Sequence, residues 1–348
     1  MNYNGFDLSK PRDILVIGRS GVDLYPNQFG STNQIVSYSK YIGGSPANTA
    51  VQLAKMGSDV SFQSKVSQDN FGQYVRYYLK SQNVDVEYLT DVDDQNIRHS
   101  LAVAEQQERG TINYFFYRGN DIADLKLNVN EISEFYISQF KALLFSGASL
   151  CASPSREAVF LAVEYAHKNG VKVIFDPDFR RSSWNNIDEA GLYYWLAAKN
   201  ADIIFGTRTE LDVVDRIHLP GNHDDEKSAE MLLHYTPELV CIKHGAEGSN
   251  VYLKDGTHIH GDIYPAHIYK ENGAGDSFAG AFISRLLKNR RIEEALKYGA
   301  AAAALTISGK SCSASMPTVR TVEDYIQYAD NGKAEQWPGW NDIERNNQ

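Results

Sequence analysis

Short apolar, β-branched runs alternate with longer amphipathic stretches along most of this chain. Residues 13–18 (Asp-Ile-Leu-Val-Ile-Gly) form a short, almost wholly apolar run, which predicts a buried strand. Residues 45–56 read as a helix that stops at Gly57, residues 60–66 as the next strand, and residues 70–81 return to helical spacing. The pattern recurs in residues 142–146, 171–176, 202–206 and 239–243, which are short apolar strands separated by helical stretches such as 155–168. Strands that alternate with helices need crossover connections, and these build a parallel sheet covered on both faces. The predicted fold class is therefore α/β, a three-layer sandwich around a mostly parallel central sheet.

Two regions break this rhythm. Residues 34–42 alternate roughly between polar and apolar, and so do residues 98–105 and 111–117, with Arg109-Gly110 as the turn between them. Alternation predicts strands with one face in water. These segments are read as a small antiparallel β lid over the carboxyl edge of the main sheet. Residues 300–304 are a helix interior, and the stretch after Tyr328, with Trp337 and Trp340, is read as irregular.

Composition narrows the partners. The chain has 348 residues, enough for one large α/β domain, and a formal net charge of -10 without any block of basic residues. Nucleic acid is thereby disfavoured as a partner. Three cysteines stand far apart with no metal-ligand spacing, so neither a disulfide framework nor a zinc site is expected. The polar first ten residues lack the apolar core of a signal peptide, and no apolar stretch reaches membrane-spanning length. The expectation is a cytoplasmic protein with no membrane partner.

Three segments can carry chemistry. Asn272-Gly273-Ala274-Gly275-Asp276 is a small-residue loop that runs into a long apolar helix. Small residues let backbone N–H groups approach an anion, and the helix N-terminus adds favourable partial charge. Asp276 falls in the first helical turn, beside such an anion, where a carboxylate can take a proton from an attacking hydroxyl. The same composition also serves an ordinary helix start. Gly43-Gly44-Ser45-Pro46-Ala47-Asn48 places two glycines before a helix, with Asn48 one turn in, able to reach a ligand hydroxyl or simply to face solvent. Asp23 lies a few residues beyond the first strand, along the edge where open α/β sheets bind ligands; a turn-forming role is the alternative. The place after the first strand reads Gly18-Arg19-Ser20-Gly21, which does not match a dinucleotide-binding fingerprint.

Together these segments resemble the ribokinase-like, or PfkB, carbohydrate kinases, from about Asp13 to Tyr325. The Gly43-Gly44 to Asn48 element looks like the family's N-terminal signature, and Gly273-Ala274-Gly275-Asp276 like its C-terminal one. The resemblance implies a kinase domain over residues 11–328, with lid strands inserted at about 31–42 and 97–118, and a tail at 329–348. It implies transfer of a phosphoryl group from ATP with Mg²⁺ to a sugar hydroxyl. Asp276 would be the base, and Gly273, Ala274 and Gly275 the anion hole. Asp23, Gly43, Gly44 and Asn48 would meet sugar hydroxyls. Lys243, Gly245 and Gly248, with Thr207, would lie near the nucleotide, and Glu210 would organise Mg²⁺ through water. A homodimer paired through the lid belongs to the same expectation.

Two positions depart from the family's pattern. Thr207 stands where many members carry Asn, and Lys270 where many carry an Asp of a monovalent-cation site, which leaves potassium dependence open. Within the family the resemblance is closest to kinases of acidic deoxy-keto sugars. It rests on residues 40–48, Tyr117-Arg118, residues 153–159, residues 206–208 and residues 242–245. The implied substrate is a sugar acid such as 5-dehydro-2-deoxygluconate, with 2-keto-3-deoxygluconate or a fructose-like sugar as alternatives. Tyr117, Arg118 and Arg180 would receive it, since arginine contacts carboxylates in a bidentate manner. A non-catalytic sugar or nucleotide sensor on the same fold is the rival from another class; its mark would be loss of the base, and Asp276 is present.

Overall fold

The computed structural model describes residues 1–119 and 121–347. Its strands in chain order are β1 (Arg12–Ile17), β2 (Gly21–Pro26), β3 (Tyr38–Gly43), β4 (Val60–Val66), β5 (Leu89–Asp91), β6 (Ser100–Glu105) and β7 (Asn113–Tyr117). They continue with β8 (Phe140–Ser146), β9 (Lys172–Asp176), β10 (Ile203–Thr207), β11 (Leu239–Lys243), β12 (Ser249–Leu253) and β13 (His258–Gly261). Nine of them form one sheet in the order β13-β12-β11-β10-β9-β8-β1-β4-β5. From β11 to β5 neighbouring strands pair in parallel, and β12 and β13 add an antiparallel edge.

The continuous apolar run of β1 has a direct physical cause. Ile14 and Val16 point into one hydrophobic layer, with Phe62, Phe205 and the helix residues Phe278 and Phe282. Leu15 and Ile17 point into the other, with Phe145, Phe175 and the helix residues Val159 and Tyr194. All four β1 side chains are fully buried. A strand covered on both faces cannot alternate with polar residues, because each polar side chain would be desolvated without a partner. Each aliphatic side chain buried here is worth about 1.5–3 kcal/mol.

The second sheet has four strands, in the order β3-β2-β6-β7. β2 pairs antiparallel with β3 and parallel with β6, and β6 pairs antiparallel with β7. The alternating segments thus do form a separate sheet, and it includes β2, a strand around Asp23 that the sequence pattern does not mark. Its six residues begin with Gly and end with Pro, and its inward positions Val22 and Tyr25 fall out of strict alternation. Nor does the first lid strand span residues 34–42: pairing covers only Tyr38–Gly43. β7 has its edge free, with Phe115, Phe116 and Tyr117 exposed.

The tail is not irregular. Gly339–Asn347 is a helix, and Trp337 and Trp340 are only 4% and 5% exposed. Their rings stand 5.1 and 5.4 Å from that of Tyr325 on the helix Val319–Asp330. Both indole N–H groups are satisfied: Trp337 donates to Asp324 at 2.7 Å and Trp340 to the Ala334 carbonyl at 2.8 Å. Two tryptophans seven and ten residues beyond that helix's last residue give no periodicity, so their role is visible only once the helix they cover is in place. Residue 348 of the tail lies outside the described residues. Truncating Trp337 to Ala removes a buried aromatic and should cost about 3–5 kcal/mol of stability. Urea unfolding reads this directly, and a midpoint no lower than that of the surface variant Leu8→Ala would show that the tail is not part of the core.

Candidate active site

The carboxyl ends of the parallel strands carry the polar groups. Asp176 ends β9, Thr207 ends β10 and Lys243 ends β11. In open α/β sheets this is the edge at which ligands bind. Facing them is the start of the helix Ala274–Leu287, whose N-cap is Gly273 at φ 89°, a left-handed conformation that favours glycine. A Cβ at Gly273 would sit 2.9 Å from Cys312 Sγ, and one at Gly275 would sit 3.3 Å from Lys243 Nζ. Gly275 therefore lets the loop come close to the Lys243 ammonium, while Gly273 lets it pack against Cys312. Free amides at a helix start, together with a lysine, suit a phosphate chain.

Asp276 is the third residue of that helix. One carboxylate oxygen accepts from Ser45 Oγ at 2.7 Å, and the other from Asn48 Nδ2 at 2.9 Å. Both donors sit in the first turn of the helix Ser45–Lys55, which follows Gly44. A Cβ on Gly44 would lie 2.6 Å from the Arg19 carbonyl, so this turn can pack against the β1–β2 connection only with glycine there. Burial, and then the charge of Asp178, push the Asp276 carboxyl up from its ordinary value, while the bonds from Asn48 and Ser45 hold it down. Asn48 Oδ1 is buried with no partner among the described residues, an acceptor left for a ligand hydroxyl.

Asp23 lies on β2 opposite Tyr41, beside a cleft lined by Arg19, Gly44, Ala102, Phe116 and Arg118. Burial raises its carboxyl to about 6, against the opposing pull of Arg19. Gly43 matters sterically here, since a Cβ on it would overlap the Asp23 carboxylate. A separate cleft of about 1050 Å³, between the loop around Ser311 and the C-terminal helix, contains none of these site residues.

At the ends of β9 and β11, burial lifts Asp176 to about 7, with Lys243 opposing and Glu210 reinforcing the shift. Burial works against the charge of Lys243, but Asp176 and Glu210 more than offset it and hold the ammonium above its ordinary value. Thr207 and Glu210 form a capping box on the helix Arg208–Asp215, and Glu210 also accepts from the Phe179 amide at 3.2 Å. Their spacing thus has a structural duty as well as a chemical one. Gly248 is required by fold, because a Cβ there would overlap the Gly261 carbonyl, whereas Gly245 has open space around it. Among the described residues no group of three or more His, Cys, Asp or Glu is arranged to hold a metal by itself.

The two arginines expected to meet a substrate are both engaged. Arg118 forms a fork with Asp124 at 3.0 and 2.9 Å, the side chains only 5% and 1% exposed. Arg180 pairs with Asp178 at 2.7 Å. Tyr117 is exposed on the edge of the lid. Lys270 is fully buried and donates to the Asn272 carbonyl at the mouth of the glycine loop. Sequence reasoning passed over Ser45, Asp176, Asp178 and Arg19. The Asp-Pro-Asp stretch after β9 was the available signal, but two acidic residues around a proline also mark an ordinary turn.

The model of the pfkB family of carbohydrate kinases matches residues 11–319. The chain belongs to that family. Its relatives include the 5-dehydro-2-deoxygluconokinase of Geobacillus thermodenitrificans, 43% identical over 94% of this chain and 97% of the relative. That of Clostridium tetani is 39% identical over 94% and 96%. Among solved structures, a fructokinase of Xylella fastidiosa with bound ATP superposes with a TM-score of 0.81 at 21% identity, covering 91% and 99% of the two chains. A fructokinase of Vibrio cholerae with fructose, ADP and calcium gives 0.77 at 25%, covering 90% and 98%. The ribokinase-like fold is thus shared with carbohydrate kinases, as the two sheets imply. Among the described residues no helix is long and apolar enough to cross a membrane.

The packing of Gly43 against Asp23 makes a local prediction. Gly43→Ala should displace the carboxylate and raise KM for the sugar at least tenfold, with KM for ATP within about twofold. Steady-state kinetics with each substrate varied in turn check this, and equal effects on both would detach Asp23 from the sugar side.

Proposed function

We propose that this carbohydrate kinase transfers the γ-phosphoryl group of ATP to the primary hydroxyl of 5-dehydro-2-deoxygluconate, forming its 6-phosphate in the catabolism of myo-inositol. The substrate reading is supported by the names of relatives that align with almost the whole chain. The same relatives favour it over 2-keto-3-deoxygluconate and fructose. The reaction reading is carried by one observation, the Asp276 carboxylate held by Ser45 and Asn48 at the glycine-loop helix start.

In this reading Asp276 takes the proton of the primary hydroxyl as that oxygen bonds to the γ-phosphorus and ADP leaves. A carboxylate whose proton affinity is raised by burial suits the task, being more basic than an exposed one. The amides of Gly273, Ala274 and Gly275 stabilise charge on the transferring group, and Lys243 neutralises the phosphate chain beside them. Asp23, Gly44 and Asn48 orient the sugar, and the lid sheet excludes water. Mg²⁺ would come with the nucleotide, with Glu210 and Asp176 the carboxylates nearby, and would polarise the phosphate oxygens. The Thr207, Gly245 and Gly248 backbone would border the nucleotide. The loop at Lys270 already holds a fixed positive charge. A cytoplasmic setting and a homodimer paired along the exposed edge of β7 complete the proposal.

Asp276→Asn keeps the hydrogen-bonding shape and removes the base, so kcat should fall about 10²- to 10⁴-fold with the circular dichroism spectrum unchanged. An ADP-release assay over sugar acids and neutral sugars tests the substrate in the same plates. Wild-type turnover by the Asn variant contradicts the mechanism, and a higher kcat/KM for ribose or fructose than for every sugar acid contradicts the substrate.

A further inference from the structure

We propose that Arg19 receives the carboxylate of the substrate and thereby sets the preference for an acidic over a neutral sugar. This rests on the sugar-acid reading above and adds to it the residue that enforces it. In an acidic chain, three guanidinium groups lie near enough to repel one another, Arg19, Arg118 and Arg180, and Arg19 and Arg118 line the same cleft. Two are already neutralised by buried acids, Arg118 by Asp124 and Arg180 by Asp178. Arg19 is 7% exposed, yet it has neither an ion pair nor a side-chain hydrogen bond among the described residues, and its Nε is sealed from water with no acceptor.

A buried, unpartnered guanidinium is strongly unfavourable, and proteins rarely keep one unless an anion arrives to complete it. Burial accordingly pulls the Arg19 group below its ordinary value, with the pull of Asp178 too weak to restore it. The cleft it lines also contains Asp23 and Gly44, so an anion bound there stays within reach of the sugar-side residues. The contact of Gly44 with the Arg19 backbone fixes where the side chain starts, and the planar fork suits a bidentate carboxylate. Arg118 by contrast has both terminal nitrogens committed to Asp124, which makes it a brace for the cleft wall rather than a free ligand.

Arg19→Met, Arg19→Lys and Arg118→Met separate these roles. Each is assayed with 5-dehydro-2-deoxygluconate and with fructose, and melting temperature and KM for ATP are followed alongside. Arg19→Met should raise KM for the acid roughly 10- to 100-fold, leave melting and KM for ATP near wild type, and erase most of the acid preference. Arg19→Lys should recover part of the loss. Arg118→Met should lower the melting temperature, since it strands Asp124. If the wild type prefers the acid and Arg19→Met keeps that preference, or slows both sugars equally, the Arg19 assignment is wrong while the substrate reading stands. If the wild type prefers fructose, both fall. Should Arg19→Met not fold, Arg19→Lys decides by the same ratio.

Discussion

Much of this structure depends on one shared carboxylate. Asp276 belongs to the helix that starts at the glycine loop, and its two hydrogen-bond donors belong to the helix that starts at Gly44. The pair of bonds locks two helix N-termini side by side over the end of the central sheet. Behind them the same two helices pack closely: a Cβ on Gly280 would come within 2.6 Å of Gln52, and Ser277 donates to Gln52 at 2.9 Å. Core packing therefore fixes the axes, and the Asp276 bonds fix the register at the N-terminal ends. Hydrogen bonds to a charged acceptor are shorter and stronger than neutral ones, so this contact both positions and electrostatically tunes the carboxylate.

From that anchor the division of labour follows. Lys243 stands against Gly275, next to Asp276 in the chain, while Asn48 holds Asp276 from the helix that follows Gly44, a residue of the cleft that Asp23 also lines. Phosphoryl transfer asks a protein for alignment and charge compensation more than for covalent help. The lid is tied to the glycine-loop approach at one point: the Gly110 backbone N–H and the Gln106 side-chain amide both donate to the Tyr269 carbonyl, one residue before buried Lys270. The tip of the lid and the approach to the glycine loop are thus joined by hydrogen bonds.

The parallel-sheet strands and the glycine-loop helix could be read from the sequence because two-sided burial and helix starts leave strong local patterns. β1 shows four consecutive apolar residues, and Gly273 to Asp276 combines small residues with an acid in one turn. What was missed depends on distant partners. β2 is bounded by Gly and Pro, and its buried positions Val22 and Tyr25 break the alternation. Trp337 and Trp340 gain their meaning from Tyr325. Arg118 reads as a free ligand until Asp124 is seen across from it, and Arg19 reads as a loop residue until its lack of any partner is seen in three dimensions.

The central claim is that the carboxylate tied by Ser45 and Asn48 is the base. Those bonds favour the charged form, so removing one should raise the proton affinity of Asp276. The most direct measurement is the acid limb of the pH profile of kcat/KM, compared between wild type and Asn48→Ala. Activity needs the ionised carboxylate, so it is present above the limb and lost as pH falls through it. The account predicts that the limb stands above the ordinary carboxylate range in the wild type and moves to still higher pH in the variant. A limb that stays in place, or moves toward lower pH, would contradict it.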